Sequence, residues 1–179
     1  MECILVIKAS IQSHANSQRT LNSPEMKDAS KDRSATYRRV HETIDGQKTN
    51  ILDFLKTLIR FNIACPPAQN TTPAQAWLQK ELASRGLTAE LFDVLPGEQF
   101  LVALLRGVGD ERSIILNGHI DVVEVRRDES WSHDPFDPYV EGGRVYGRGA
   151  FDMKSGITSV VMAVDAIQKA GLTQRRCRR

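Results

Sequence analysis

The stretch Ser113–Val123, SIILNGHIDVV, indicates the fold of this chain. It starts as a continuous apolar strand and runs out into a polar segment. A second strand without polar positions is predicted at Phe100–Leu105. Strands that are apolar on both faces are typical of a sheet covered by helices on both sides. The pattern therefore predicts an α/β fold, a three-layer sandwich with a mostly parallel, twisted sheet.

Helices and a further strand are predicted around this stretch. Apolar residues recur at helical spacing in three segments, 51–59, 77–82 and 153–170. Residues 89–94 alternate between apolar and polar side chains, which predicts a strand. Two helices thus precede the apolar strands and one follows them.

The 179 residues provide room for about one domain. Residues 1–43 contain a short apolar run and then a polar, aperiodic stretch, so a disordered N-terminal arm is expected there. Residues 44–173 are expected to form a partial α/β domain. Residues 174–179 contain four arginines and are expected to be a basic tail unrelated to that domain.

Composition excludes several function classes. The net charge of +2 depends on the four tail arginines and aromatic residues make up 6%, so no specific nucleic-acid surface is expected. No apolar run approaches the ~20 residues of a membrane span, and no targeting segment is recognised. A cytoplasmic location without membrane partners is therefore expected. The three cysteines lie far apart, which disfavours a disulfide framework or a cysteine zinc site.

His119 and Asp121 are the first candidate site residues. They follow a buried strand, and ligand sites of covered α/β sheets lie at the carboxyl ends of strands. Positions i and i+2 of an extended chain face the same way, so Asp121 can accept the distal N–H of His119. That contact would fix the tautomer and make the other ring nitrogen a better metal donor. The alternative is an ordinary histidine–aspartate hydrogen bond at a strand end.

Asp152 is the third candidate. It follows a glycine-rich segment at the start of the last predicted helix. It is either a helix N-cap, a position that aspartate favours, or a metal carboxylate. An imidazole and a carboxylate together suit zinc or a similar divalent ion. Gly147 and Gly149 do not continue into a GxGxxG pattern, which disfavours a dinucleotide site, and the loop residue His133 is left out of the site.

Three motifs in this order and spacing resemble a known family. They are Gly118–Asp121 (GHID), Trp131–Phe136 (WSHDPF) and Gly147–Gly156 (GRGAFDMKSG). The similarity is to the zinc metallopeptidase family of acetylornithine deacetylase, succinyl-diaminopimelate desuccinylase, aminoacylase and carboxypeptidase G. It covers about residues 44–171. The resemblance implies the truncated N-terminal half of a zinc-exopeptidase catalytic domain.

The resemblance also implies roles for the candidate residues. His119 would bind one zinc ion, Asp152 would bridge two zinc ions, and Asp121 would be the catalytic residue that orients His119. Cobalt(II) is the alternative metal. The implied substrate is a small N-acyl amino acid or peptide, and the oligomeric state is left open.

One family feature has no counterpart here. A glutamate of a Glu-Glu pair on the next strand serves as general base in the family, and this sequence contains no Glu-Glu pair. The arginine-rich end stands where that strand is expected. We therefore expect a metal-dependent hydrolase of amide bonds by ancestry, with little or no activity in this chain. The alternative is a non-catalytic fragment or binding protein with at most weak single-metal binding.

Overall fold

The computed structural model describes residues 4–10, 24–65, 71–95, 98–106 and 113–172. In chain order the elements are β1 (Ile4–Ser10), α1 (Pro24–Asp45), α2 (Lys48–Arg60), β2 (Ala64–Cys65), α3 (Thr71–Ser84), β3 (Thr88–Leu95), β4 (Glu98–Leu105), β5 (Ser113–His119), β6 (Val122–Val123), β7 (Tyr139–Glu141), β8 (Arg144–Tyr146) and α4 (Ser155–Lys169). One turn of π-helix, Ala150–Lys154, leads into α4. Within these ranges, no helix combines the length and the apolar character needed to cross a bilayer.

The main sheet has four strands in the order β3-β4-β1-β5. β1 pairs parallel with β4 and antiparallel with β5, and β3 pairs antiparallel with β4. Two smaller pairs accompany it, a parallel β2–β6 pair and an antiparallel β7–β8 hairpin. The α/β class is confirmed, and the pairing within the main sheet is mixed.

The structure differs from the sequence expectation at the N terminus. Where a disordered arm was expected over residues 1–43, β1 occupies an interior position of the sheet and α1 extends from Pro24 to Asp45. Both elements depend on contacts remote in sequence, since β1 lies between β4 and β5 and α1 packs against α4. Local composition does not report such contacts. The tail at residues 174–179 lies outside the described residues.

The core lies on one face of the main sheet. Buried residues of α2, α3 and α4 form one apolar cluster there with the inward residues of β4, which are Leu101, Ala103 and Leu105. The opposite face is open at Phe92, which is 48% exposed, and at Ile115, which is 64% exposed. The described residues therefore form two layers, and the expected helical layer on the second face is not among them.

Shortening a side chain to alanine should lower the free energy of unfolding much more on the covered face of the sheet than on the open face. Leu101 is 0% exposed, so Leu101→Ala leaves a cavity and should lower the free energy of unfolding by about 2–5 kcal/mol. Ile115→Ala on the open face is the matched control and should cost well under ~1 kcal/mol. Urea titration followed by circular dichroism measures both. Equal losses for the two variants would contradict the one-sided core.

Candidate metal centre

The first half of the site is the end of β5. The strand finishes at His119, and the next residues, Ile120 and Asp121, are 0% and 7% exposed. The chain then pairs with β2, where the backbone N–H of Val122 donates to the carbonyl oxygen of Ile63 at 2.9 Å. The burial of Ile120 and this pairing hold the turn after His119 in one position.

The imidazole of His119 lies between two aspartates. Its Nδ1 is 3.2 Å from the backbone oxygen of Asp121 and 3.5 Å from Oδ1 of the same residue. Its Nε2 is 3.5 Å from Oδ1 of Asp152. Asp121 therefore lies beside Nδ1 as the strand geometry predicts, with its backbone carbonyl nearer than its carboxylate. His119 and Asp152, which are 33 residues apart in the sequence, lie together.

The second half of the site is the turn of π-helix that carries Asp152. The backbone leaves helical geometry at Asp152, with φ −118° and ψ 107°, and the side chain is 77% exposed. α4 begins at Ser155 and the residue that precedes it is Lys154, so Asp152 does not occupy the N-cap position. Its carboxylate is presented outward, beside the histidine.

Two glycines permit the close packing that joins these halves. A methyl group at Gly118 would lie 2.6 Å from Cε of Met153, so Met153 packs directly on the backbone of β5. Gly149 has φ +80°, and a methyl group there would lie 2.6 Å from Cγ1 of Val122. Only a residue without Cβ allows both that dihedral angle and that approach.

Lys154 is a site residue that the sequence analysis did not select. It is fully buried, and its Nζ donates to the carbonyl oxygen of Phe61 at 2.8 Å. Burial lowers the pKa of Lys154 to about 8, and the negative charge of Asp121 opposes that shift. Lys154 lies at helical spacing from Ile157 and Val161 on the apolar face of the helix, and this spacing in the sequence could have indicated its burial.

Polar contacts within the loop before the β7–β8 hairpin, and with Arg148 after β8, hold that loop in place. Glu129 accepts hydrogen bonds from the indole of Trp131 at 2.9 Å and from the guanidinium of Arg148. Those contacts, the indole bond foremost, lower the pKa of Glu129. The rings of His133 and Tyr139 lie against each other, with 4.4 Å between their centroids.

The donor set fits part of a zinc site. Nε2 of His119 and the carboxylate of Asp152 are donors that zinc accepts, and Asp121 stands behind the other ring nitrogen, as in many metal-binding histidines. Within the described ranges, no group of three or more histidine, cysteine or acidic side chains could hold an ion. A structural zinc site has four ligands, so these residues supply an incomplete set.

Comparisons with known proteins agree with the motifs. Residues 115–178 match the model of peptidase family M20/M25/M40. The chain is 39% identical over 135 residues to N-formyl-4-amino-5-aminomethyl-2-methylpyrimidine deformylase from Bacillus subtilis, covering 74% of this chain and 32% of that protein. It is 39% identical over 111 residues to succinyl-diaminopimelate desuccinylase from Cupriavidus pinatubonensis, covering 57% of this chain and 29% of that protein.

A solved structure supports the fold. The di-peptidase Dug1p from Saccharomyces cerevisiae matches with a TM-score of 0.55 and 18% identity, over 75% of this chain and 32% of that chain. The chain spans about a third of the length of these relatives. The resemblance to the metallopeptidase family is confirmed, and the partial coverage is consistent with its N-terminal part.

The packing at Gly149 can be tested against a glycine of similar backbone conformation. Gly149→Ala should lower the free energy of unfolding through its positive φ, and by about 1–3 kcal/mol more through the clash with Val122. Gly142, with φ +56° and nothing within 4 Å of an added methyl group, is the control and bears the dihedral cost alone. Chemical denaturation of both variants measures the difference. If Gly142→Ala is as destabilising as Gly149→Ala, the close approach at Gly149 is not what requires glycine.

Proposed function

We propose that this chain, which descends from the amide-bond hydrolases of peptidase family M20/M25/M40, provides the first ligands of a zinc-dependent site that removes the acyl group from small N-acyl amines. The observation that supports this most is the 3.5 Å distance between Nε2 of His119 and Oδ1 of Asp152. An imidazole and a carboxylate from separate segments meet there at the carboxyl end of a strand. That is where α/β folds place their ligand sites.

Each of the three candidate residues has a role in this proposal. His119 binds a metal through Nε2, and Asp152 binds through its exposed carboxylate. Asp121 accepts a hydrogen bond from Nδ1–H of His119, keeps Nδ1 protonated and so leaves the Nε2 lone pair free for the metal. Zinc, or cobalt(II) as the alternative, would supply Lewis-acid polarisation of the amide carbonyl.

The substrate class follows from the names of the relatives. One removes a formyl group from an aminomethylpyrimidine derivative, and the other removes a succinyl group from diaminopimelate. Both names describe cleavage of an amide between a small acyl group and an amine. We extend that class to this chain as N-acyl amines, with N-acyl amino acids and small peptides included.

A second candidate function, single-ion binding without turnover, is favoured by a specific observation. The described residues contain no group of three potential ligands, so affinity for an ion rests on His119 and Asp152. The sequence also lacks the Glu-Glu pair that the family uses as general base. We therefore propose hydrolase ancestry for the site, and weak metal binding with little or no turnover for these 179 residues.

Zinc binding tests the proposed ligands directly. Competition with a chromogenic chelator at neutral pH should detect binding to the wild-type chain and none to His119→Ala or Asp152→Ala. Asp121→Asn should weaken binding by about 10–100-fold, the usual effect of losing the group behind a histidine ligand. His133→Ala is the control and should bind zinc like the wild type. Unchanged affinity in the His119 and Asp152 variants would refute the site.

Turnover separates the two candidate functions. The purified chain, loaded with zinc, is incubated with N-formyl, N-acetyl and N-succinyl amines, and free amine is measured. We expect no zinc-dependent release above the background of the His119→Ala variant, because the ligand set is incomplete. Release that depends on zinc and disappears in His119→Ala would show that the chain is an active hydrolase.

A further inference from the structure

Lys154 places an ammonium group where apolar atoms are expected. It is 0% exposed, and it is the largest fully buried side chain among the described residues. Its neighbours on the same face of α4 include Ile157 and Val161, both 1% exposed. A buried charge is tolerated only when an opposite charge and hydrogen bonds compensate its lost hydration. The groups around the ammonium therefore indicate which segments of the chain Lys154 keeps in position.

Two groups compensate this charge, the carbonyl oxygen of Phe61 and the negative charge of Asp121. The ammonium donates to the carbonyl oxygen of Phe61 at 2.8 Å, and the negative charge of Asp121 attracts it. Two residues after Phe61, Ile63 accepts the backbone N–H of Val122, the residue that follows Asp121. The ammonium is thus anchored to the same packed segment that carries Asp121.

The rest of Lys154 supports the other half of the site. Its backbone N–H donates to the carbonyl oxygen of Gly149 at 3.0 Å. A methyl group at Gly149 would lie 3.1 Å from Cδ of Lys154 and 3.3 Å from Cε, so the lysine stem passes directly beneath that residue. Gly149 begins the segment that presents Asp152. One side chain therefore contacts the segment of Asp152 and is anchored at Phe61, two residues before the partner of Val122.

We propose that Lys154 is a positioning residue of the metal centre, which holds the Asp121 carboxylate behind His119 and supports the segment that carries Asp152. The inference deepens the proposed function and rests on it for the role of His119. The lysine itself acts through Asp121 and through the segment of Asp152, since a fully buried ammonium cannot meet a substrate in solvent. The charge, more than the volume, is what the position requires.

A spectroscopic test in the zinc-free chain separates positioning from plain stability. The ¹⁵N resonances of the His119 imidazole are compared in the wild type, Lys154→Met and Thr158→Val. Thr158 is 2% exposed and donates to the carbonyl oxygen of Lys154 at 2.8 Å, so its variant weakens the same helix start without removing the charge. We expect Lys154→Met to shift the His119 signals and Thr158→Val to leave them unchanged. Unchanged signals in a folded Lys154→Met chain would overturn the proposal.

A double-mutant cycle on zinc affinity tests the path through Asp121. Lys154→Met should weaken zinc binding by about 10–100-fold, the effect expected for a group behind a ligand. The double variant with Asp121→Asn should bind zinc more tightly than the product of the two single losses predicts, because the part of the loss that passes through Asp121 is counted only once. Losses that multiply would show that Lys154 acts independently of Asp121, contrary to the proposal.

If Lys154→Met does not fold, the double variant with Asp121→Asn should fold, because neither charge is then left uncompensated. A double variant that also fails to fold would assign Lys154 a purely structural role and overturn the proposal. If the wild-type chain binds no zinc, the proposed function fails, whereas the His119 resonances still decide the role of Lys154.

Discussion

The site exists because Met153 packs directly against the backbone of β5 at Gly118. A side chain at position 118 would occupy the space of the Met153 methyl group, since an added methyl would lie 2.6 Å from it. The missing Cβ allows the segment before α4 to approach the sheet until Asp152 is 3.5 Å from His119. Protein interiors are close-packed, so this contact sets the relative position of His119 and Asp152 more than their own attraction does.

Charges then give this packed site its chemical character. A half-buried imidazole lies between one buried and one exposed aspartate. The exposed carboxylate of Asp152 lies at Nε2 of His119, whereas the buried Asp121 lies at Nδ1. An acceptor behind one ring nitrogen makes the other nitrogen of a histidine a better metal donor. Within the described residues, no group of three or more potential ligands forms around this pair.

The sheet that carries His119 is itself assembled from distant parts of the chain. β1 separates β4 from β5, and its register pairs Ile4 with His119. The placement of the candidate ligand therefore depends on a strand more than a hundred residues earlier in the sequence. The open face at Phe92 and Ile115 belongs to the same sheet, whose other face carries the core.

The sequence alone determined the local elements and the chemistry of the candidate residues. Helical and strand periodicity located α2, α3, β3, β4 and α4, and the motifs around His119 and Asp152 indicated the family. These signals are local, because amphipathic spacing and residue type are written along the chain itself. The tertiary structure alone decided two things, the insertion of β1 into the sheet and the one-sided core. Each depends on residues that meet across long separations, and no local pattern encodes the partner of such a contact.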